Sequence, residues 1–500
     1  MFLVYICGIK QLNMKNFIAV MCSLLLAVIA ALPVEGNTVM NDTGVKMMII
    51  SDPHLLAPSL AGKGKAAQQL AAGDMKLVLE SDMIVGRMVD EIIKEKPQLL
   101  LISGDLTFNG ARASHERLVS HLERLAQAGI KTLVIPGNHD INCPYSKSYT
   151  GDEAKPVATV SSEEFAQLYS SYGYGAASER DPNSLSYTCE PVAGLVLLCI
   201  DSNRYSENRL GNDGEGVEYH NDGAVKPETL DWMKAQLAKA QAGGKRVIAM
   251  MHHHAVEHID GEAKLLPNYI VANHEEVAEV LKEGGVKVVF TGHLHITDAA
   301  TINGIVDVAT GSATTYPLPM RTVTVSPGLD TLSIETSFFD GDDDSLLGHG
   351  KLKIENSAGA LTSMISRRLW PKLSGNMEKI QQMLASQGME MKNRPQSAQE
   401  LNDLLFHHLR EPLTQSLLSV SRGGEDPHQA AVVIDTIKQG VRGMVIELIP
   451  DGGNMMADFL IEELFPRVEP MLKSALEDVN QVGASDESHT DDHVLEIRLK

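Results

Sequence analysis

Cysteine is scarce in this chain. Five occur in 500 residues and no two stand in a Cys-x-x-Cys spacing, which argues against a thiolate-held structural zinc site and a redox dithiol. Three remain beyond the N-terminal segment, Cys143, Cys189 and Cys199, so at most one disulfide can form. Cys199 lies in the apolar run Leu195–Ile200 and reads as a small buried hydrophobe. Basic residues are also few, 43 against 65 acidic ones, for a net charge of -22. A surface this acidic disfavours polyanionic partners, so no nucleic-acid polymer is expected. No internal repeat is visible. The acidic run Asp340–Asp344 lacks the spaced ligands and closing Glu of an EF-hand and reads as a solvated turn.

Long apolar runs are missing too. The stretch Phe17–Leu32 is 16 residues, short of the roughly 20 that a spanning helix needs. It follows Lys10 and Lys15 and is followed by Pro33, Val34, Glu35 and Gly36, the layout of a cleaved export signal over residues 1–36. Met14 is a competing start, and an uncleaved anchor is the competing reading. Cys22, inside the run and after bulky Met21, fits a lipoprotein site poorly. The protein is therefore expected to be exported, periplasmic or secreted, and to meet a membrane only through this segment if it stays uncleaved. The sequence leaves the oligomeric state open.

At this length two or three domains are expected. Short apolar runs alternate with amphipathic stretches from Val45 to about Pro319. Strands are predicted at Val45–Ser51, Gln98–Ser103, Lys131–Ile135, Leu195–Ile200, Arg246–Met251 and Val286–Thr291. Helices are predicted at Met75–Lys96, Ala113–Ala128, Ser161–Tyr172, Pro227–Ala242 and His274–Glu283. That alternation is an α/β pattern. Ile305–Ala309, Arg321–Val325 and Thr331–Ser337 follow as strands without helices between them. Beyond about Leu361 the pattern is helical, and Pro395, Pro412, Pro427, Pro450, Pro466 and Pro470 are expected to cut it into short helices. His493–Leu499 alternates like a strand. The resulting domains are 37–350 (α/β), 351–482 (helical) and a polar tail at 483–500.

The chemistry is concentrated where strands end. Asp52 and His54 follow the first strand, Gly104-Asp105 the second and Gly137-Asn138-His139-Asp140 the third. His252 follows Arg246–Met251, and Gly292-His293-Leu294-His295 follows Val286–Thr291. Ligands of open α/β sheets bind beyond the carboxyl ends of strands, so carboxylates, imidazoles and an amide converge on one edge. Oxygen and imidazole donors suit metal ions. Seven such ligands exceed one catalytic ion and suit a carboxylate-bridged pair. Within His252-His253-His254, the residue directly after the strand is favoured and His253 is its competitor. His254, His258 and His115 are expected to be solvated rather than catalytic, with Ser114 at a helix start.

The ordered series Asp-x-His, Gly-Asp, Gly-Asn-His-Asp, His, Gly-His-x-His resembles the calcineurin-like metallophosphoesterase family and spans roughly Lys46–Leu318. The resemblance implies a two-sheet sandwich flanked by helices, here with an α-helical C-terminal region. It implies two metal ions, manganese, iron or zinc. Asp52, His54, Asp105 and His295 match the first site; Asp105, Asn138, His252 and His293 match the second, with Asp105 bridging. His139 matches a residue that contacts substrate and protonates or stabilises the leaving oxygen, and Asp140 matches the carboxylate that orients it. Phe108 stands where purple acid phosphatases place a Tyr ligand, so no iron–tyrosinate is expected. Asp140 and the helical C-terminus argue against the 5′-nucleotidase relatives. The implied activity is hydrolysis of a small phosphate mono- or diester by a metal-bridging hydroxide. The alternatives are a phosphodiesterase for cyclic nucleotides or phospholipid headgroups, and a non-catalytic scaffold.

Overall fold

The computed structural model describes residues 44–212, 215–339, 344–423, 427–476 and 493–500. The export signal, most of the acidic run from Asp340 and the polar stretch 484–492 lie outside these residues. Thirteen strands among the described residues form two large mixed sheets. They are β1 (Val45–Ile50), β2 (Leu99–Ile102), β3 (Lys131–Val134), β4 (Glu179–Arg180), β5 (Tyr187–Val192), β6 (Leu195–Ile200) and β7 (Arg246–Met251). The series continues with β8 (Val288–Thr291), β9 (Asp298–Ile302), β10 (Ile305–Ala309), β11 (Pro319–Val325), β12 (Thr331–Phe338) and β13 (Val494–Arg498). The first sheet has the order β13-β12-β11-β1-β2-β3 and the second β9-β10-β8-β7-β6-β5-β4.

Strand periodicity explains the layers. In β7, Ile248 and Met250 join the core shared with Met47, Ile49 and Leu101 of the first sheet. Val247, Ala249 and Met251 point the other way, onto the helices Pro227–Ala242 and His274–Glu283. Successive side chains of a strand face opposite sides, so a strand buried on both faces reads as a continuous apolar run. On the first sheet, the helix Ser81–Glu95 buries Ile84, Val85, Met88, Val89 and Ile92 on one stripe. It stops at Lys96, which has φ 51°, just before Pro97, which cannot continue a helix.

The strands without intervening helices divide between the sheets: β10 completes the second, whereas β11 crosses back to pair antiparallel with β1. The C-terminal region is helical, with α1 (Asp344–Ser386), α2 (Ala398–Ser421) and α3 (Pro427–Leu448) as its long members. Pro427 opens α3 and Pro450 lies just past its end, as expected. Pro412 corrects the reading that prolines cut this region throughout: it lies inside α2. A proline forfeits one backbone bond, and packing of α2 along α1 and α3 outweighs that loss. No helix among the described residues is long and apolar enough to cross a membrane.

The last residues are strand rather than tail. β13 pairs antiparallel with β12, Leu332 opposite Ile497 and Ile334 opposite Leu495. Leu495, Ile497 and Leu499 are buried while Val494, Glu496 and Arg498 are exposed. Leu495→Ala should cost about 2–4 kcal/mol, the usual range for a buried large-to-small change, and a chain ended at residue 492 should unfold at lower denaturant concentration. Chemical denaturation checks both, and unchanged midpoints would show that β13 is not held in the sheet.

Candidate metal centre

Five strand ends converge at the seam between the sheets. β1 supplies Asp52 and His54, β2 Asp105, and β3 Asn138 and His139, all from the first sheet; β7 supplies His252 and β8 His293 and His295, from the second. Asp52 (φ 50°), His54 (φ 39°), Asp105 (φ 47°), His293 (φ 69°) and His295 (φ 62°) all have left-handed backbone. Non-glycine residues adopt it at a cost of order 1–3 kcal/mol each, and such strain clusters at functional sites. The motif glycines permit the close approach. A Cβ on Gly137 would lie 2.2 Å from Asp105 N and Oδ1, and one on Gly292 2.0 Å from Ser51 Oγ.

Asp105 is the centre of the cluster. Its Oδ2 lies 3.6 Å from His54 Nε2, 3.4 Å from His252 Nε2 and 4.0 Å from His139 Nε2. Its Oδ1 accepts from the His139 backbone N–H at 2.8 Å. On one side, Asp52 Oδ1 is 3.3 Å from His295 Nε2, and the Nε2 atoms of His54 and His295 are 3.1 Å apart. On the other, His252 Nε2 is 3.1 Å from Asn138 Oδ1. Asp52, His54 and His295 form one group able to hold a metal ion, and Asp105, His252 and His293 another.

The outer partners fix which atoms face inward. His252 Nδ1 donates to Ser103 O at 2.8 Å and His293 Nε2 to Asn268 O at 2.9 Å. Each ring therefore turns its other nitrogen toward the cluster, where it offers a lone pair once deprotonated, the usual arrangement for a ligating histidine. Asn138 Nδ2 donates to Tyr219 Oη at 2.8 Å, which turns Oδ1 inward. Asp52 Oδ1 and His54 Nδ1 are buried without a hydrogen-bond partner. Nitrogen ligands sit about 2.0–2.1 Å from a zinc-like ion, so two ligands of one tetrahedral ion lie roughly 3.3 Å apart. The observed spacings and the orphaned Asp52 oxygen fit cations here.

Charge in this cluster is strongly coupled. Burial works to raise Asp105, but His252, His139 and His54 outweigh it and hold the carboxyl well below its usual range. Burial depresses His252, yet Asp105 dominates and raises it to about 9. Burial holds His54, His293 and His139 below the usual histidine value.

Several sequence expectations need correction. Asp140 does not hold His139. Its carboxylate accepts from the backbone N–H of Leu106, Thr107 and Gly137 and from Thr107 Oγ1, at 2.8–2.9 Å, and so ties the Gly-Asp and Gly-Asn-His-Asp loops together. Burial and then Asp105 push this carboxyl up to about 7. The residue that holds His139 is Asn109, whose Oδ1 accepts from Nδ1 at 2.7 Å. His253, the competitor of His252, faces away, bonded to Ser202 Oγ and Asn221 O. His254 and His258 are neither solvated nor facing substrate. His254 pairs with buried Glu262 at 2.9 Å, and His258 sits between Asp298 at 2.5 Å and Asp307 at 3.5 Å. His115 is fully buried and bonds Tyr169 Oη and Asp140 O, both at 2.9 Å. Ser114 accepts from the Ala57 N–H, and its helix starts earlier, at Arg112. Cys143, Cys189 and Cys199 are all buried free thiols.

A cavity of about 290 Å³ opens onto this cluster, lined by Asp105, Asn138, His139, His293 and His295 together with Asp74, Lys76, Asn221 and Tyr269. A larger groove of about 520 Å³ runs past Glu355, Phe406 and Arg410 of the helical region and holds none of these groups. Of the cavity's further lining, Lys76 and Tyr269 carried no sequence signal. Asn109, which holds His139 from outside that lining, carried a weak one, since Asn109-Gly110 marks a turn just beyond Gly-Asp.

Residues 45–297 match the calcineurin-like phosphoesterase family, and the chain belongs to that family. Among curated relatives it is similar to a probable cyclic nucleotide phosphodiesterase from Rhodococcus erythropolis, 26% identical over 44% of this chain and 58% of the relative. It is also similar to a cAMP/cGMP dual specificity phosphodiesterase from Mycobacterium tuberculosis, 24% identical over 49% of this chain and 65% of the relative. The chain thus spans less than two thirds of either relative's length. Among solved structures, a dimetal phosphatase from Danio rerio aligns at 16% identity and a TM-score of 0.42, covering 59% of this chain and 97% of the other. What the family match and the geometry share is a set of His and Asp groups able to hold metal ions.

Loading this centre should release protons. A ligating imidazole must be neutral, and His252 at about 9 is protonated at pH 7, so a metal ion must displace its proton. Affinity should therefore rise with pH up to about 9 and fall on acidification. Titration calorimetry of the metal-free protein in buffers of different ionisation enthalpy measures this release, and a buffer-independent heat at pH 7 would contradict it.

Proposed function

We propose that this chain hydrolyses small phosphate mono- or diesters at a two-ion centre. Asp52, His54, Asp105 and His295 would hold one ion and Asp105, Asn138, His252 and His293 the other, with manganese, iron and zinc all compatible with the donors. The observation that carries this reading is the position of Asp105, whose one oxygen faces His54 at 3.6 Å and His252 at 3.4 Å, one from each group. Two ions there would supply the charge that clamps attacking and leaving oxygens in line and brings water's pKa near neutrality.

The chain's own contribution is positioning and proton handling. His139 turns Nε2 toward the cluster, and its Nδ1 is fixed by Asn109. A neutral amide stabilises an imidazolium less than a carboxylate does, and burial already depresses His139. Protonation at Nε2 is therefore costly, and His139 serves as leaving-group acid only where the leaving oxygen demands a proton. Tyr269 lies beside His293, ring centroids 4.9 Å apart, and Tyr145 packs edge-on to Tyr219 at 5.3 Å. The Tyr269 ring in the cavity lining, together with the names of the two curated relatives, favours a cyclic nucleotide as the particular diester.

Metal analysis of active, dialysed protein should give two ions per chain. Asp105→Ala should disturb both sites and His54→Ala mainly one; one ion per chain at full activity would sink the two-ion reading. Assay against cAMP, cGMP, a nitrophenyl monoester and a nitrophenyl diester then separates the substrate readings.

His139→Ala should retain both ions and lose about 10²–10⁴-fold on alkyl esters, the range for a general acid. The loss on nitrophenyl esters, whose leaving group needs little help, should be clearly smaller. Asn109→Ala should act in the same sense and more weakly. Equal losses on both ester types would replace proton donation with charge stabilisation.

A further inference from the structure

Part of the lining of the cavity that opens onto the metal cluster is a short loop, Asp74-Met75-Lys76, outside the motifs that carry the family resemblance. Lys76 is the one lysine or arginine among the described residues lining that cavity. Its side chain is only 16% exposed, and Nζ lies 3.2 Å from Asp74 Oδ1 and 5.9 Å from the centroid of the Phe108 ring.

The loop is held from outside the sandwich. Within it, Asp74 Oδ1 accepts from the Lys76 N–H at 2.9 Å, and Leu77 N–H donates to Thr314 O at 2.7 Å. The decisive tie comes from the helical region: Lys353 of α1 donates through Nζ to Ala71 O at 2.7 Å and Asp74 O at 3.0 Å. An ammonium has three donors and no acceptor, so carbonyls are natural partners. A second grip lies alongside. Arg422, at the end of α2, donates to Tyr316 Oη at 2.8 Å, and neighbouring Thr315 Oγ1 is 3.4 Å from His295 Nδ1. The helical region thus reaches both loops, and these bond each other through Leu77 and Thr314.

A phosphoryl group brings negative charge beyond what leaving-group chemistry neutralises, and a lysine is a compact point charge suited to it. We propose that Lys76 is a substrate-binding residue that pairs with a phosphoryl oxygen, and that Lys353 of the C-terminal helical region positions it. The proposal rests on the phosphoesterase reading and gives the helical region a role at the site without a metal ligand.

The test uses the full chain with Lys76→Met, Lys76→Arg and Lys353→Met, with inorganic phosphate as the probe. Calorimetry on the metal-loaded protein should show Lys76→Met binding phosphate about 10- to 100-fold more weakly, the range for a lost charged hydrogen bond, with both ions retained. Lys76→Arg should recover most of that. Lys353→Met should weaken phosphate binding several-fold and, in the metal-free protein, speed hydrogen exchange at the Lys76 and Leu77 amides. Wild-type phosphate affinity in Lys76→Met, or loss of an ion from it, would overturn the binding role. Unchanged exchange in Lys353→Met would overturn the positioning role. Absence of ester hydrolysis by the metal-loaded wild-type chain would overturn the phosphoesterase reading instead, and phosphate affinity is measured independently of it.

Discussion

A carboxylate excluded from water, with three imidazoles around it, is the constraint on which the rest of this structure depends. Asp105 is 1% exposed, and His54, His252 and His139 each turn a ring nitrogen toward it. Withdrawing a charge from water costs several kcal/mol unless neighbours replace the solvent. Across the cluster the chain's own groups do so incompletely, since Asp52 Oδ1 and His54 Nδ1 make no hydrogen bond. Left-handed backbone at five of the clustered residues adds strain. Such a cluster is not what a fold selected for stability alone would place at the seam of two sheets. The shared core between the sheets and the Asp140 carboxylate that gathers Leu106, Thr107 and Gly137 are what hold it in shape.

The strands and the ends that carry the cluster were legible because both are local. Buried strands such as Leu195–Ile200 and Arg246–Met251 are continuous apolar runs with polar residues directly after them, and their bounds agree with the structure. The amphipathic helices Pro227–Ala242 and His274–Glu283 agree as well. What the sequence did not carry was the surroundings of individual side chains. His115, His254 and His258 read as surface histidines because nothing in their spacing announces a buried acceptor. The acceptors come from Tyr169, Glu262, Asp298 and Asp307, mostly on other elements.

The pairing of His139 with Asp140 failed for a related reason. Asn138–Asp140 form a turn closed by the Asp140 N–H on Gly137 O, and within it the Asp140 carboxylate folds back onto the Gly137 N–H, away from the neighbouring ring. The partner of His139 arrives instead from the β2 end, on Asn109 with φ 59°. The same loop returns Thr107 to the Asp140 carboxylate. The loops after β2 and β3 therefore exchange partners: Asp140 braces the first, and Asn109 steers the histidine of the second. A change at either residue acts on the metal cluster through the other loop.

The helical region is not an appendage in topological terms. β12 and β13 are antiparallel neighbours in the first sheet, with Glu335 opposite Val494, and all the long C-terminal helices lie between them in sequence. The family match ends at residue 297, yet β11, which pairs with β1, and β12 and β13 all lie beyond it. Half of the first sheet is thus built from chain outside the matched segment. The strand carrying Asp52 and His54 is flanked by β11 on one side and β2 on the other. A sheet transmits its pairing from strand to strand, so whatever secures β13 and β12 also secures the backbone from which the first ligands project. The contacts of Lys353 and Arg422 then extend that support from the sheet to the loops at its carboxyl edge. The same inserted helices thus reach the site by two routes, through the strands beneath it and through the loops around it.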